Sequence, residues 1–263
     1  MAQQTQVARV DDAWADFLER FPTPHRLAQA SSADGLRAWA GLGYNRRAIH
    51  LQRAARVIVA EHAGRVPDSV ADLECLPGVG PYTARAVAAL AYGRPVAAVD
   101  TNVRRVISRL HGRVLGARDV QEAAQALMPP DDAAIWNHAV MELGATVCRA
   151  RRPDCPACPV RRWCQSAGRV GTTSAQRQSA AGSLPPDASP GPGPVPFERT
   201  SRWLRGRIVA RLRDVEEGTW SRLPGSIGVH GTEAVTRAVA ALQRDGLVER
   251  HADGSVRLPS GPT

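Results

Sequence analysis

Four cysteines crowded into 17 residues, Cys148, Cys155, Cys158 and Cys164, constrain this chain more than any other feature. Their spacing, C-x6-C-x2-C-x5-C, puts four thiols on one short loop. Such a set suits either a tetrahedral zinc ion or a cubane iron-sulfur cluster, since both take four sulfur ligands. Zinc sites usually show two CxxC-like pairs split by a longer loop, whereas here one wide arm precedes a single CxxC and a fourth ligand follows. Five cysteines are an odd number, and the polar start MAQQTQ is not a secretion signal, so metal ligation is the reading ahead of disulfides. The fifth, Cys75, lies in the apolar lead-in LECLPGVG and reads as a small core residue with no role.

A polyanionic partner is implied by charge. The 263 residues carry a formal net charge of +9, and the sequence pI is about 10.5. Basic side chains displace the counterions condensed on a phosphate backbone, which makes nucleic acid the leading partner class. All 34 basic residues are arginine, and there is no lysine. No stretch approaches the ~20 apolar residues of a membrane span. The expectation is a soluble, cytoplasmic and nucleoid-associated protein without membrane contact, monomeric by default.

From Val7 to Gly168 the chain reads as successive short amphipathic helices, with Trp14, Phe17, Leu18 and Phe21 recurring at helical spacing and almost no strand signal. Residues 167–198, containing GSLPPDASPGPGPVP, are too poor in large apolar groups to fold alone and read as a flexible linker. Beyond it, Arg202–Val215 and Thr232–Asp245 are helix-like, and LVERHADGSVRLP has the shape of a hairpin around Asp253-Gly254. Residues 199–263 therefore outline a winged-helix-like domain, a class that binds DNA or proteins. Arg202, Arg205, Arg207, Arg211 and Arg213 favour DNA there, although charges at those spacings are commonly a solvated helix face.

Leu76-Pro-Gly-Val-Gly80, followed by Pro81-Tyr82-Thr83-Ala84, is a glycine-rich turn opening a helix. Backbone N–H groups at such a turn hold a phosphate without sequence preference. Eighteen residues after Tyr82 comes Asp100, within Val99-Asp-Thr-Asn-Val-Arg-Arg-Val106. An aspartate at a helix start is commonly only a cap. The combination with LPGVG is rarer than either part.

Together LPGVG, the VDTN segment and the cysteine loop resemble the adenine DNA glycosylases (MutY-like) of the helix-hairpin-helix, iron-sulfur endonuclease III superfamily, over residues 1 to about 166. The resemblance implies an all-α, two-lobed fold: residues 1–98 a helical bundle with the hairpin, 99–166 a cluster lobe holding a 4Fe-4S cluster on the four cysteines. It implies duplex DNA with mismatched or oxidised base pairs as partner. Gly78, Val79, Gly80 and Thr83 would hold its backbone, and Arg149, Arg151 and Arg152, with Arg161 and Arg162, would face its phosphates. Gln3, Gln4 and Thr5 of QQTQV and Tyr44 of Gly41-Leu-Gly-Tyr44 are similar to segments inserted at the lesion, with Gln4 and Tyr44 as wedges beside a flipped nucleotide. Asp100 would stabilise the positive charge that develops on deoxyribose as the base leaves. Asn102 would orient it, and Tyr82 would lie near the reaction centre.

The implied activity is monofunctional removal of adenine opposite 8-oxoguanine or guanine, with a G·T thymine glycosylase as rival. Bifunctional relatives place a lysine where Tyr82 stands, and a chain without lysine has no such amine. Two departures temper the expectation. Met1 aligns just past the glutamate that protonates the leaving adenine, so the chain would excise slowly or serve as a catalytically weak DNA-binding protein. The carboxy-terminal residues are too short and too helical for the Nudix-like domain that many adenine glycosylases carry.

Overall fold

The computed structural model describes residues 1, 5, 10–169 and 195–261. Gln3 and Gln4, and most of the linker expected over 167–198, lie outside the described residues. The chain divides by its contacts into two units. Among the described residues no helix is long and apolar enough to cross a membrane.

The first unit gathers the described residues of 1–67 and 76–78 with those of 195–261. It contains α1 (Asp11–Arg20), α2 (Pro24–Gln29), α3 (Ser32–Ala38) and α4 (Arg46–Glu61). From the carboxy-terminal end come α10 (Ser201–Arg213), α11 (Thr232–Arg244) and a hairpin of β1 (Glu249–Arg250) and β2 (Val256–Arg257). The hairpin turns at Gly254, whose φ is +86°. The Asp253 carboxylate closes the turn by accepting from the N–H and hydroxyl of Ser255.

One core runs through both ends of the sequence. Phe17, Leu36, Trp39 and Ile49 share a buried cluster with Leu204, Ile208, Leu242 and Val256. This grouping differs from the expectation of a separate carboxy-terminal domain, and arginines show why. Arg213 donates to Leu36 O at 2.9 Å and to Asn45 Oδ1 at 2.8 Å, which satisfies a carbonyl in the last turn of α3. Arg37 donates to Val215 O at 3.0 Å, and the Ala33 N–H donates to Pro259 O at 2.9 Å. The five arginines of α10 are therefore not one solvated face: Arg213 is structural, and Arg205 pairs with Asp245. Of the apolar stripe on and just after α1, only Phe17 and the capping Phe21 are buried, while Trp14 and Leu18 are exposed.

The second unit comprises 68–75 and the described residues from 79 to 169. It holds α5 (Val70–Cys75), α6 (Pro81–Tyr92), α7 (Thr101–Leu110), α8 (Ala117–Leu127) and α9 (Ala133–Glu142). A π-helical stretch, Leu143–Val147, leads out of α9 into the cysteine loop. Its core is Ala97, Val103, Ile107, Leu115, Val120, Ala124, Met128 and Ala133. Small residues let helices approach closely: Ala84, Ala88 and Ala89 of α6 are fully buried, and α6 packs on α5 and α9. Cys75, expected in the core, is exposed at the end of α5, where Leu73 takes the buried position instead.

Candidate active site and cysteine loop

Asp100 follows a non-helical segment, Pro95–Ala98, that pairs with no strand among the described residues. Its backbone polar groups must still be satisfied, and side-chain amides do this. Gln125 of α8 accepts from the Ala97 N–H at 3.0 Å and donates to Pro95 O at 2.9 Å. Gln121 donates to Ala97 O at 2.9 Å. Asn137 of α9, fully buried, accepts from the Ala98 N–H at 2.7 Å and donates to Val96 O at 3.0 Å and Ala133 O at 2.8 Å. Two helices thus fix the approach to the aspartate.

Both carboxylate oxygens of Asp100 are then engaged. Oδ1 accepts from the Val103 N–H at 2.7 Å, capping α7, and Oδ2 accepts from Asn102 Nδ2 at 3.2 Å. Asn102 Oδ1 in turn accepts from Arg105 at 2.8 Å, and Arg105 reaches Gly144 O and, at 2.8 Å, Cys148 O. Gly144 has to be glycine: a Cβ there would stand 2.7 Å from Cβ of Asn102 and 3.1 Å from its carbonyl. The π-helical stretch presses its backbone directly onto the residue that holds the aspartate.

Tyr82, in the first turn of α6, is 39% exposed. Its hydroxyl lies 3.9 Å from Met141 Sδ, a weak acceptor. Burial first, and the Asp100 carboxylate second, push its phenol above the ordinary value, so it remains a neutral O–H donor at physiological pH. α6 opens with Gly80 in extended conformation and Pro81 at its first position, an arrangement that leaves the helix start facing outward. Val79 and Thr83 flank it, both half-buried.

The four cysteines line one pocket together with Arg109 and Arg161. Arg109 organises the loop, donating to Cys148 O at 3.2 Å, Cys148 Sγ at 3.3 Å, Arg149 O at 2.9 Å and Ala150 O at 2.9 Å. Burial raises the Cys164 thiol above its usual range, and the proximity of Cys148, Cys155 and Cys158 adds to the shift. Among the described residues no three His, Cys, Asp or Glu side chains are grouped so as to hold a metal ion. The donor set around the pocket is nevertheless the one that a cubane cluster takes. Arg149, Arg151, Arg152, Arg161 and Arg162 are all exposed.

In the first unit, the Gly41-Leu-Gly-Tyr44 loop runs through left-handed backbone at Gly41 (φ +78°), Gly43 (φ +65°) and Tyr44 itself (φ +45°). Arg47 gathers this loop: it donates to Thr5 Oγ1 at 2.7 Å and Leu42 O at 2.9 Å, and its guanidinium lies 5.6 Å from the Tyr44 ring centre. Thr5 and Tyr44, singled out separately from sequence, thus meet on one arginine. Gly78, at φ +80°, sits against His50, where a Cβ would come within 2.6 Å of the histidine Cβ. That close approach accounts for the glycine.

Residues 1–151 match the family described as "HhH-GPD superfamily base excision DNA repair protein". The chain is 43% identical over 265 residues to the adenine DNA glycosylase of Mycobacterium tuberculosis (strain ATCC 25618 / H37Rv), covering 98% of this chain and 83% of that one. The chain belongs to the adenine DNA glycosylases of the HhH-GPD superfamily. The adenine DNA glycosylase of Homo sapiens is 41% identical over 193 residues, 70% of this chain and 34% of its own length. Among solved structures, a thermostable thymine-DNA glycosylase superposes with a TM-score of 0.61 at 29% identity, covering 64% of this chain and 80% of that one. A non-covalent endonuclease III–DNA complex gives 0.57 at 28% identity with the same coverages.

For this adenine glycosylase family member, the structure also brings forward residues that sequence reading passed over: Asn137, Arg105, Gly144 and Arg109. Only Asn137 left a signal, a polar residue within the otherwise apolar run AAIWNHAV. Arg105 and Arg109 act through carbonyls supplied by distant backbone, and Gly144 through its close approach to Asn102, neither of which a local pattern reports.

Proposed function

We propose that this chain excises adenine from duplex DNA in which it is mispaired with 8-oxoguanine or guanine, by hydrolysis of the N-glycosidic bond. The observation that carries the proposal is Asp100, with both oxygens held by Val103 N–H and Asn102 and with its approach fixed by the side-chain amides of Gln121, Gln125 and the buried Asn137. As the bond breaks, adenine leaves with the bonding pair and takes up a proton, and positive charge develops on the sugar. A carboxylate fixed in advance stabilises that charge without reorganising. Water then adds at the anomeric carbon and releases a proton. Tyr82 supplies a neutral hydroxyl beside the carboxylate, and its amine-free side chain offers no Schiff base to the sugar.

In this reading the exposed arginines of the cysteine loop and the turn at Gly78 to Thr83 hold phosphates, while Thr5 and Tyr44 lie at the lesion. The four cysteines hold a 4Fe-4S cluster, which supplies a rigid cross-link for the arginine-bearing loop. The protein acts as a monomer on nucleoid DNA. Single-turnover assays on duplexes containing A·8-oxoguanine, A·G and G·T pairs test the assignment. The expected result is excision of adenine, its loss by at least ~100-fold in Asp100→Asn with DNA binding kept, and about four irons per purified chain. Excision of thymine alone, or binding without turnover on any duplex, would replace the proposal with a thymine glycosylase or a non-catalytic DNA-binding protein.

A further inference from the structure

Arg202, from the first turn of α10, stacks its guanidinium 4.0 Å from the centre of the Tyr44 ring. The same group lies 5.8 Å from the ring of Phe197. Tyr44 is 41% exposed and Phe197 54%. Arg47 stands 5.6 Å from the Tyr44 ring as well, so two guanidiniums share one exposed aromatic. Among the described residues no carboxylate pairs with Arg202, in contrast to Arg205 on the same helix, which is tied to Asp245. Arg213, the other anchored arginine, is spent on Leu36 O and Asn45.

Two guanidiniums gathered on one ring repel each other as like charges, and an anion relieves that repulsion. The start of a helix adds its own preference for negative charge. An aromatic interleaved with arginines is also the make-up of nucleic-acid platforms, where the ring meets a base and the cations meet the backbone. We propose that Arg202 is a DNA-phosphate ligand, held in place by Tyr44, through which the carboxy-terminal segment becomes part of the DNA interface. The ring fixes the guanidinium plane, and the guanidinium covers one face of a tyrosine whose own backbone is left-handed. This rests on the reading of Tyr44 as a residue at the DNA, but a phosphate contact carries no base preference, so it is testable without any excision.

The test is a titration of the full chain against an undamaged duplex and against an A·8-oxoguanine duplex over a range of salt concentrations. Neutralising one phosphate contributes about 0.9 to the slope of log affinity against log salt. Arg202→Ala should therefore flatten the slope by about 0.9 on both duplexes and weaken binding roughly five- to tenfold at 0.1 M salt, while Arg202→Lys should restore most of the slope. Arg202→Gln, which keeps a polar, hydrogen-bonding side chain and loses the charge, serves if the alanine variant melts early. An unchanged slope in a folded neutral variant overturns the proposal, as does a loss confined to the mismatched duplex, which would mean that Arg202 acts only through Tyr44. Absence of DNA binding by the unaltered chain would instead defeat the functional reading on which the proposal rests.

Discussion

The surroundings of Asp100 and of Tyr44 are built in opposite ways. Asp100 ends a segment whose backbone is held by amides from α8 and α9, one of them fully buried, and both its oxygens are occupied. Tyr44 stands on left-handed backbone among glycines, gripped by arginines over its ring and under its loop. A carboxylate that must meet developing charge gains from a site that cannot relax. In the proposed reading Tyr44 meets DNA, and such a ring gains from supports that are themselves cationic. On the proposed function the difference is one of job: one region is held by amides in advance, and the other is assembled from cationic groups that a polyanion also attracts.

The contrast breaks most visibly if Asn137 is not the keystone. Asn137→Leu keeps the branched shape but strands the Ala98 N–H and the Val96 carbonyl, and a buried group left unpaired costs about 1–3 kcal/mol. We expect a loss of about 3 kcal/mol or more by urea unfolding, with excision falling further than binding. A loss under 1 kcal/mol would mean that the approach to Asp100 is held by something else.

Gly144→Ala should come next. Its methyl would stand 2.7 Å from Cβ of Asn102, and overpacking of this kind costs about 1–3 kcal/mol. Because Asn102 has to yield, kcat in single-turnover excision should drop about tenfold, by analogy with small displacements of catalytic groups, while affinity for the duplex stays within about twofold. Equal losses in both would show that the glycine serves folding only.

The smallest effect is expected in the loop. Arg47→Lys keeps the charge but cannot reach Thr5 Oγ1, Leu42 O and the Tyr44 ring together, since an ammonium lacks the planar fork. Stability should fall by about 1 kcal/mol, and the preference for mismatched over matched duplex should shrink several-fold with little change in affinity for the matched one. An unaltered preference would remove Arg47 from any part in presenting Tyr44.

Much of this was legible beforehand, for physical reasons that differ by element. The cysteine loop, LPGVG and VDTN are short-range patterns whose chemistry depends on neighbours in sequence, and all three stand as separate local structures. The two carboxy-terminal helices and the turn at Gly254 were also readable, because periodicity and an Asp-Gly pair act locally. What the chain hid was partnership. Nothing in SRWLRGRIVARLR says that Arg213 will be half-buried against Leu36 O while Arg202 lies on Tyr44, since both partners lie more than 150 residues away. Cys75 was misplaced for a related reason: an apolar neighbourhood in sequence does not say which residue of a six-residue helix turns inward, and Leu73 does.

A paired strand can slip by two residues and still find hydrogen bonds and the same face. Pro95–Ala98 has no such freedom, because the amides it meets are anchored on helices and each matches one particular carbonyl or N–H. The stretch from Pro95 to Asp100 therefore works as a ruler. Exchanges of side chain at Val96 or Val99 change only packing, whereas inserting or deleting one residue would set the carboxylate at the wrong distance from its target while every element around it remained folded. Length, more than composition, is what this part of the gene has to preserve.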